Sequence, residues 1–160
     1  MRLELREGGN YSSPDDPGEV GYAVREKRLS VTNEEGEILA GLAAGLRVLE
    51  IGTGLGVATR YLARTATEVV TVDIDPWVVD PCIANVTFMR DVPPGKTFDL
   101  AFIDGNHQYA EVIRDIQRAI SEVIVLHDTY LDEVARAARD AGLHEVRIYP
   151  TLCRIGIYTK

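Results

Sequence analysis

The sequence predicts an α/β protein built on a doubly wound, mostly parallel sheet, and three observations carry that prediction. Short apolar runs at 47–51, 69–73, 85–89, 98–104 and 123–126 alternate with segments whose apolar residues recur at helical spacing, the pattern of repeated βαβ units. Between the first run and its helix lies Gly52-Thr53-Gly54-Leu55-Gly56, whose alternate glycines let the chain turn sharply and let a ligand approach the backbone. Two further β-rich runs, 145–149 and 154–158, flank Pro150-Thr151 and read as a terminal hairpin.

Taken in order, residues 1–31 are dense in turn formers and form an irregular arm. Its Tyr11, Val20, Tyr22, Val24 and Leu29 are apolar enough that part of it is expected to pack over the ligand site as a lid. Residues 32–160 form a single domain, long enough to bury a core. Thr32 and Glu35 make a capping box before Ile38, Leu39, Leu42 and Ala43, so a helix runs from there to near Gly45. A second strand ends in Asp73, and Pro76 and Pro81 allow at most a short turn after it. The fourth strand, 98–104, is apolar on both faces and therefore central. Helices follow at 110–120, with Val112, Ile113, Ile116 and Ile120 at helical spacing, and at 130–141, stopped by Gly142. Doubly wound sheets bind ligands at the carboxyl ends of their strands. Glu50, Asp73, Asp104, His127 and Asp128 sit at such ends and should face one crevice.

The glycine spacing is G-x-G-x-G rather than the dinucleotide fingerprint G-x-G-x-x-G, and Glu50 stands two residues before it. A carboxylate there repels a pyrophosphate and suits an ammonium group, while an acid about 20 residues on, Asp73, suits ribose hydroxyls. The expected ligand has a ribose and a cation and no phosphate. In these residues the chain resembles the class I S-adenosylmethionine-dependent methyltransferases, a Rossmann-like family whose seven-stranded sheet closes with an antiparallel C-terminal hairpin strand; this is a compact version. The resemblance implies that Gly52, Thr53, Gly54 and Gly56 face the methionine part of the cofactor and that Asp73 holds its ribose. It also places Ile74 on the adenine edge, Asp91 near the adenine amino group and Asp104 beside the cofactor. Trp77 either walls the adenine pocket or caps the core, and Thr32 is a helix N-cap that the resemblance brings near the methionine end.

Asp104-Gly105-Asn106-His107, with His127-Asp128 at the end of the fifth run, resembles the small-molecule O-methyltransferases of the catechol and macrolide-sugar types. That resemblance implies metal ligation by Asp104 and Asp128, with His107 and Asp104 nearest the reacting atoms and His107 as general base. A divalent cation lowers a hydroxyl pKa and fixes the oxygen, and an imidazole accepts the proton near neutral pH. His127 departs from the family, which has an acid or amide there. As a third ligand it suits a softer ion than Mg²⁺, such as Mn²⁺, Fe²⁺ or Zn²⁺; equally, the four side chains could brace one another without metal.

The remaining features bound the partners. A net charge of −8 without a run of Lys and Arg disfavours a nucleic-acid partner and favours a small-molecule acceptor. Cys82 and Cys153 lack metal spacing and stand in apolar stretches, so buried free thiols in a reducing compartment are expected, a disulfide being the alternative. No run is long enough to span a membrane and Met1-Arg2-Leu3-Glu4 does not open a signal peptide, which points to the cytoplasm. The apolar edge hairpin would suit a homo-oligomer. The expected function is methyl transfer to a hydroxyl of a small molecule; the alternatives are a non-catalytic S-adenosylmethionine-binding or interaction module and a nicotinamide oxidoreductase, against which Glu50 and the glycine spacing count.

Overall fold

The computed structural model describes residues 30–74 and 83–160. Residues 1–29 of the arm and lid expected for 1–31, together with Trp77, the proline-limited turn and Cys82, lie outside the described residues. The elements are α1 (Asn33–Ala43), β1 (Arg47–Ile51), α2 (Val57–Ala63), β2 (Glu68–Val72), β3 (Val86–Met89), β4 (Leu100–Ile103), α3 (Tyr109–Arg118), β5 (Val123–Leu126), α4 (Asp132–Asp140), β6 (His144–Tyr149) and β7 (Ile155–Thr159).

Seven strands form one sheet in the order β3-β2-β1-β4-β5-β7-β6. The first five are parallel, and β7 runs antiparallel between β5 and β6. As its two-sided apolarity predicts, β4 is the middle strand, with every residue buried. Side chains alternate across the pleat. Val48, Val69, Leu100, Phe102 and Val125 pack with α1 and α2 on one face, while Leu49, Ile51, Val70, Ala101, Ile103 and Ile124 pack with α3 and α4 on the other.

Two helices differ from the sequence expectation at their ends. α4 begins at Asp132 rather than Tyr130 because Asp128 takes a left-handed backbone (φ 54°) and its carbonyl accepts from the Leu131 N–H at 2.9 Å, a turn before the helix. α3 stops at Arg118, and Ile120 is left exposed. The edge strand β6 exposes the polar His144, Glu145 and Arg147 beside the apolar Val146, and polar edge residues oppose strand-to-strand association.

Candidate active site

The same alternation that builds the core also lines up polar residues. Continuing the α1/α2 face of the sheet beyond the apolar positions gives Glu50 on β1, Thr71 on β2, Asp104 after β4 and His127 after β5. The backbone ladder carries on past the strand ends, with Gly52 N–H donating to Val72 O (2.9 Å), Asp104 N–H to Ile51 O (2.8 Å) and His127 N–H to Ile103 O (3.2 Å). Gly52, at φ 100°, lies against the end of β4, and a Cβ there would stand 2.2 Å from the Asp104 carbonyl oxygen. Only glycine allows that approach. Gly54 (φ 48°) is the opposite case, since a Cβ there meets nothing within 4 Å. Its N–H donates to Asp73 Oδ2 at 2.8 Å.

Above these ends is a crevice of about 210 Å³ lined by Gly52, Thr53, Gly54, Asp104, His107 and His127, and also by Ser30, Asp128 and Cys153. Of the residues predicted to share it, Asp104, His107, His127 and Asp128 do so, with Gly52, Thr53 and Gly54 of the glycine turn, whereas Glu50, Gly56 and Asp73 lie outside its lining. Thr53 is anchored by Thr71, hydroxyl to hydroxyl, at 2.6 Å. Ile74 is 83% exposed just past β2. Asp91 is held by Arg118 on α3 and by the Val92 N–H, and lies outside the crevice lining.

Glu50 corrects the sequence reading. It is wholly buried beneath the turn and accepts a hydrogen bond from the Thr59 hydroxyl of α2 at 2.6 Å, while its Oε1 has no partner among the described residues. Burial above all pushes its carboxyl up to about 8; hydrogen bonds from Thr59 and Thr71 oppose this, and the charges of Asp104 and Asp73 add to it. Burial thus favours its protonated form near neutral pH, and the carboxyls that line the crevice are those of Asp104 and Asp128. A carboxyl that ionises near 4.5 unfolded and near 8 folded favours the folded state fully only below 4.5, and that contribution is lost as pH rises through 8. At pH 7 the loss amounts to about 3 kcal/mol. Glu50→Gln is therefore expected to raise stability at pH 7–8 by up to about that amount and to flatten the pH dependence between 4.5 and 8, as read from urea denaturation at several pH values. Equal pH slopes for the two proteins would contradict this.

His127 is the centre of the cluster. Its Nδ1 lies 3.1 Å from Asp104 Oδ1 and 3.3 Å from Asp128 Oδ2, and its Nε2 faces Glu35 Oε2 at 3.4 Å. Burial by itself would lower its pKa, but Asp104, Asp128 and Glu35 together hold it well above the usual imidazole value. His107, its side chain 38% exposed, brings Nε2 within 3.4 Å of Asp104 Oδ1 and 3.2 Å of Asp128 Oδ2. The Asp104 carboxylate raises its pKa against the effect of burial, and Asp128 adds to the rise. In return the imidazoles hold Asp104 low despite its burial. The left-handed backbone of Asp128 is a strained conformation of the kind that gathers at functional sites.

Glu35 is the residue the sequence did not point to. Its capping box with Thr32 is present, with Thr32 N–H donating to Oε2 at 2.8 Å and Glu35 N–H to the Thr32 hydroxyl oxygen at 3.3 Å. The fully buried carboxylate also accepts from Cys153 N–H at 2.9 Å, 118 residues away. Burial opposes ionisation, yet the facing His127 imidazole and the Thr32 and Cys153 N–H groups lower the pKa to about 2. Cys153 is a buried free thiol, as expected, but its surroundings are not apolar. Burial and the charges of Glu35 and Asp128 push it up to about 12.

No protein-family model matches the chain, and no curated protein does. Solved structures do. Cofactor-bound Rv0187 from MTB is 24% identical, with a TM-score of 0.62 over 92% of this chain and 91% of that one. An O-methyltransferase from Bacillus cereus in complex with SAH is 18% identical, with a TM-score of 0.63 over 91% and 90%. The fold is that of the class I S-adenosylmethionine-dependent methyltransferases. A ribosomal-protein methylase from Lactobacillus delbrueckii subsp. bulgaricus shares it as well, 16% identical with a TM-score of 0.57 over 83% and 81%. Acceptors therefore differ widely within the methyltransferase fold, and the acceptor must be argued from the site. Among the described residues no helix is long and apolar enough to cross a membrane.

Proposed function

We propose that the chain is an S-adenosylmethionine-dependent methyltransferase acting on a hydroxyl group of a small molecule. One observation carries this reading above all: a part-exposed imidazole, His107, lies between two carboxylates in the crevice beside the glycine turn. The open space over Gly54 is where a ligand can lie against the backbone. Asp104 and Asp128 make the crevice acidic, which suits a cationic cofactor and disfavours phosphate.

When bound, S-adenosylmethionine supplies a methyl group on a sulfonium, which the acceptor oxygen takes up in line. The Gly52–Gly56 turn and Asp73 would hold it. His107 Nδ1 would accept the hydroxyl proton as the oxygen–carbon bond forms, while the N–H at Nε2 faces Asp104 and Asp128, which stabilise the resulting imidazolium. Holding donor and acceptor in line supplies most of the remaining acceleration.

Asp104, His127 and Asp128, the three ligands expected from the sequence, do meet, with their ligating atoms within 4.8 Å of one another, but the Mg²⁺ that the O-methyltransferase resemblance implies does not fit this donor set. Hard cations want about six oxygens. Here Asp104 and Asp128 supply the carboxylates, and their oxygens already face the nitrogens of His127 and His107 at 3.1–3.4 Å. No step is assigned to Mg²⁺.

Calorimetric titration with S-adenosylmethionine, and with NAD in parallel, tests the reading. Micromolar binding of the methyl donor and none of NAD is expected. Gly54→Ala should weaken donor binding by about tenfold or more, while backbone strain costs the free protein about 1 kcal/mol. If the donor does not bind, the reading is wrong.

A further inference from the structure

A second group of side chains meets on the other side of the His127 ring. The Glu35 carboxylate, His127 Nε2 and the Cys153 thiol are all buried, with their ligating atoms within 4.8 Å of one another. Nε2 is enclosed and has no hydrogen-bond partner among the described residues. If Nδ1 carries the ring proton toward Asp104 Oδ1 at 3.1 Å, Nε2 presents a lone pair to Glu35 Oε2 at 3.4 Å. Two electron-rich atoms held this close in a buried site are bridged by a cation, a second ring proton in the free protein or a metal ion in its place.

That separation is what two ligands of one ion show. Nitrogen and oxygen bound to Zn²⁺ at about 2.0–2.2 Å under a tetrahedral angle stand roughly 3.3–3.5 Å apart. The surroundings have the form of a metal site's supporting shell. Metal-bound imidazoles commonly donate their other N–H to a carboxylate, here Asp104. The Glu35 carboxylate is fixed by the Thr32 and Cys153 N–H groups and keeps lone pairs to spare. Thiolate and imidazole together select a borderline ion over Mg²⁺ or Ca²⁺.

We propose that Glu35, His127 and Cys153 form a mononuclear site for a borderline divalent cation, Zn²⁺ by preference. His127 and Cys153 also line the crevice, which places the site beside it. Binding of the ion does not rest on the methyl-transfer reading. The site is distinct in its donors from the Asp104–Asp128 pair, and it uses the opposite ring nitrogen.

The test uses the full chain carrying Cys82→Ser, so that Cys153 is its one thiol, stripped with chelator and titrated with Co²⁺ and then Zn²⁺. One Co²⁺ per chain is expected, with a thiolate-to-cobalt charge-transfer absorption that Zn²⁺ bleaches by displacement. Cys153→Ala should abolish the absorption, and Asp128→Asn should keep it. Asp104→Asn, which removes only the supporting carboxylate, should weaken affinity by about 10–100-fold. Should Cys153→Ala fail to fold, the rate at which a thiol reagent modifies Cys153 gives the same answer, falling when Zn²⁺ is added. Metal binding without the charge-transfer absorption, absorption that survives loss of Cys153, no binding at millimolar metal, or an unchanged modification rate would each overturn the site. In that case a second ring proton bridges His127 and Glu35.

Discussion

His107→Ala is expected to lower methyl transfer to a hydroxyl acceptor by about 10²–10⁴-fold while leaving affinity for S-adenosylmethionine unchanged. The geometry separates the two effects. The imidazole stands at the mouth of the crevice, hydrogen-bonded to carboxylates rather than packed into the core, and the glycine turn owes none of its shape to it. The pH profile gives a second signature. A base works in its neutral form, and Asp104, against burial and with help from Asp128, raises the His107 pKa above 6.5. The rate should therefore climb with pH through a midpoint above 6.5 and then level off. In Asp104→Asn that midpoint moves down. Turnover of a hydroxyl panel combined with calorimetry checks both statements. Equal rates for wild type and His107→Ala would remove His107 from the mechanism, and binding without turnover in either protein would make the chain a binding module.

The fold was largely legible because its signals are local. The alternation of strands and helices, the centrality of β4 and the terminal hairpin are each written within a few residues and survive intact. The crevice was half legible by the same logic, since Asp104, His107, His127 and Asp128 follow directly on apolar strands and a parallel sheet brings such ends together. Glu50 misled because its place before the glycine turn says nothing about depth. The turn at Gly52 closes tightly on Asp104, and the strand position beneath it belongs to the interior. Glu35 was hidden for a different reason. Its capping box gave it a complete local explanation, and the contacts that bring it to Cys153 and His127 span most of the chain. Thr32 and Glu35 read as a helix start, and they are one; nothing within a helical turn of them shows that the same carboxylate ties that start to the β6–β7 loop.

That tie makes Glu35→Ala the most damaging single change expected for stability. The side chain is fully buried, accepts from the Thr32 and Cys153 N–H groups, and faces His127, whose pKa its carboxylate neighbours hold well above the usual imidazole value. Truncation strands two buried N–H donors, each costing about 1–3 kcal/mol, and removes one partner of a buried ion pair, worth about 3–5 kcal/mol when broken. These terms overlap, so about 3–5 kcal/mol is the expected loss, a large share of a small domain's 5–15 kcal/mol. Urea denaturation of the chelated protein at neutral pH measures it. Glu35→Gln separates shape from charge: the amide refills the space and one oxygen still caps an N–H, so its loss should be clearly smaller than that of alanine. If glutamine and alanine were equally harmful, the charge opposite His127 would carry the whole effect. If neither destabilised the protein, α1 would be anchored by its apolar face alone, and the link from the capping box to Cys153 would have no energetic weight.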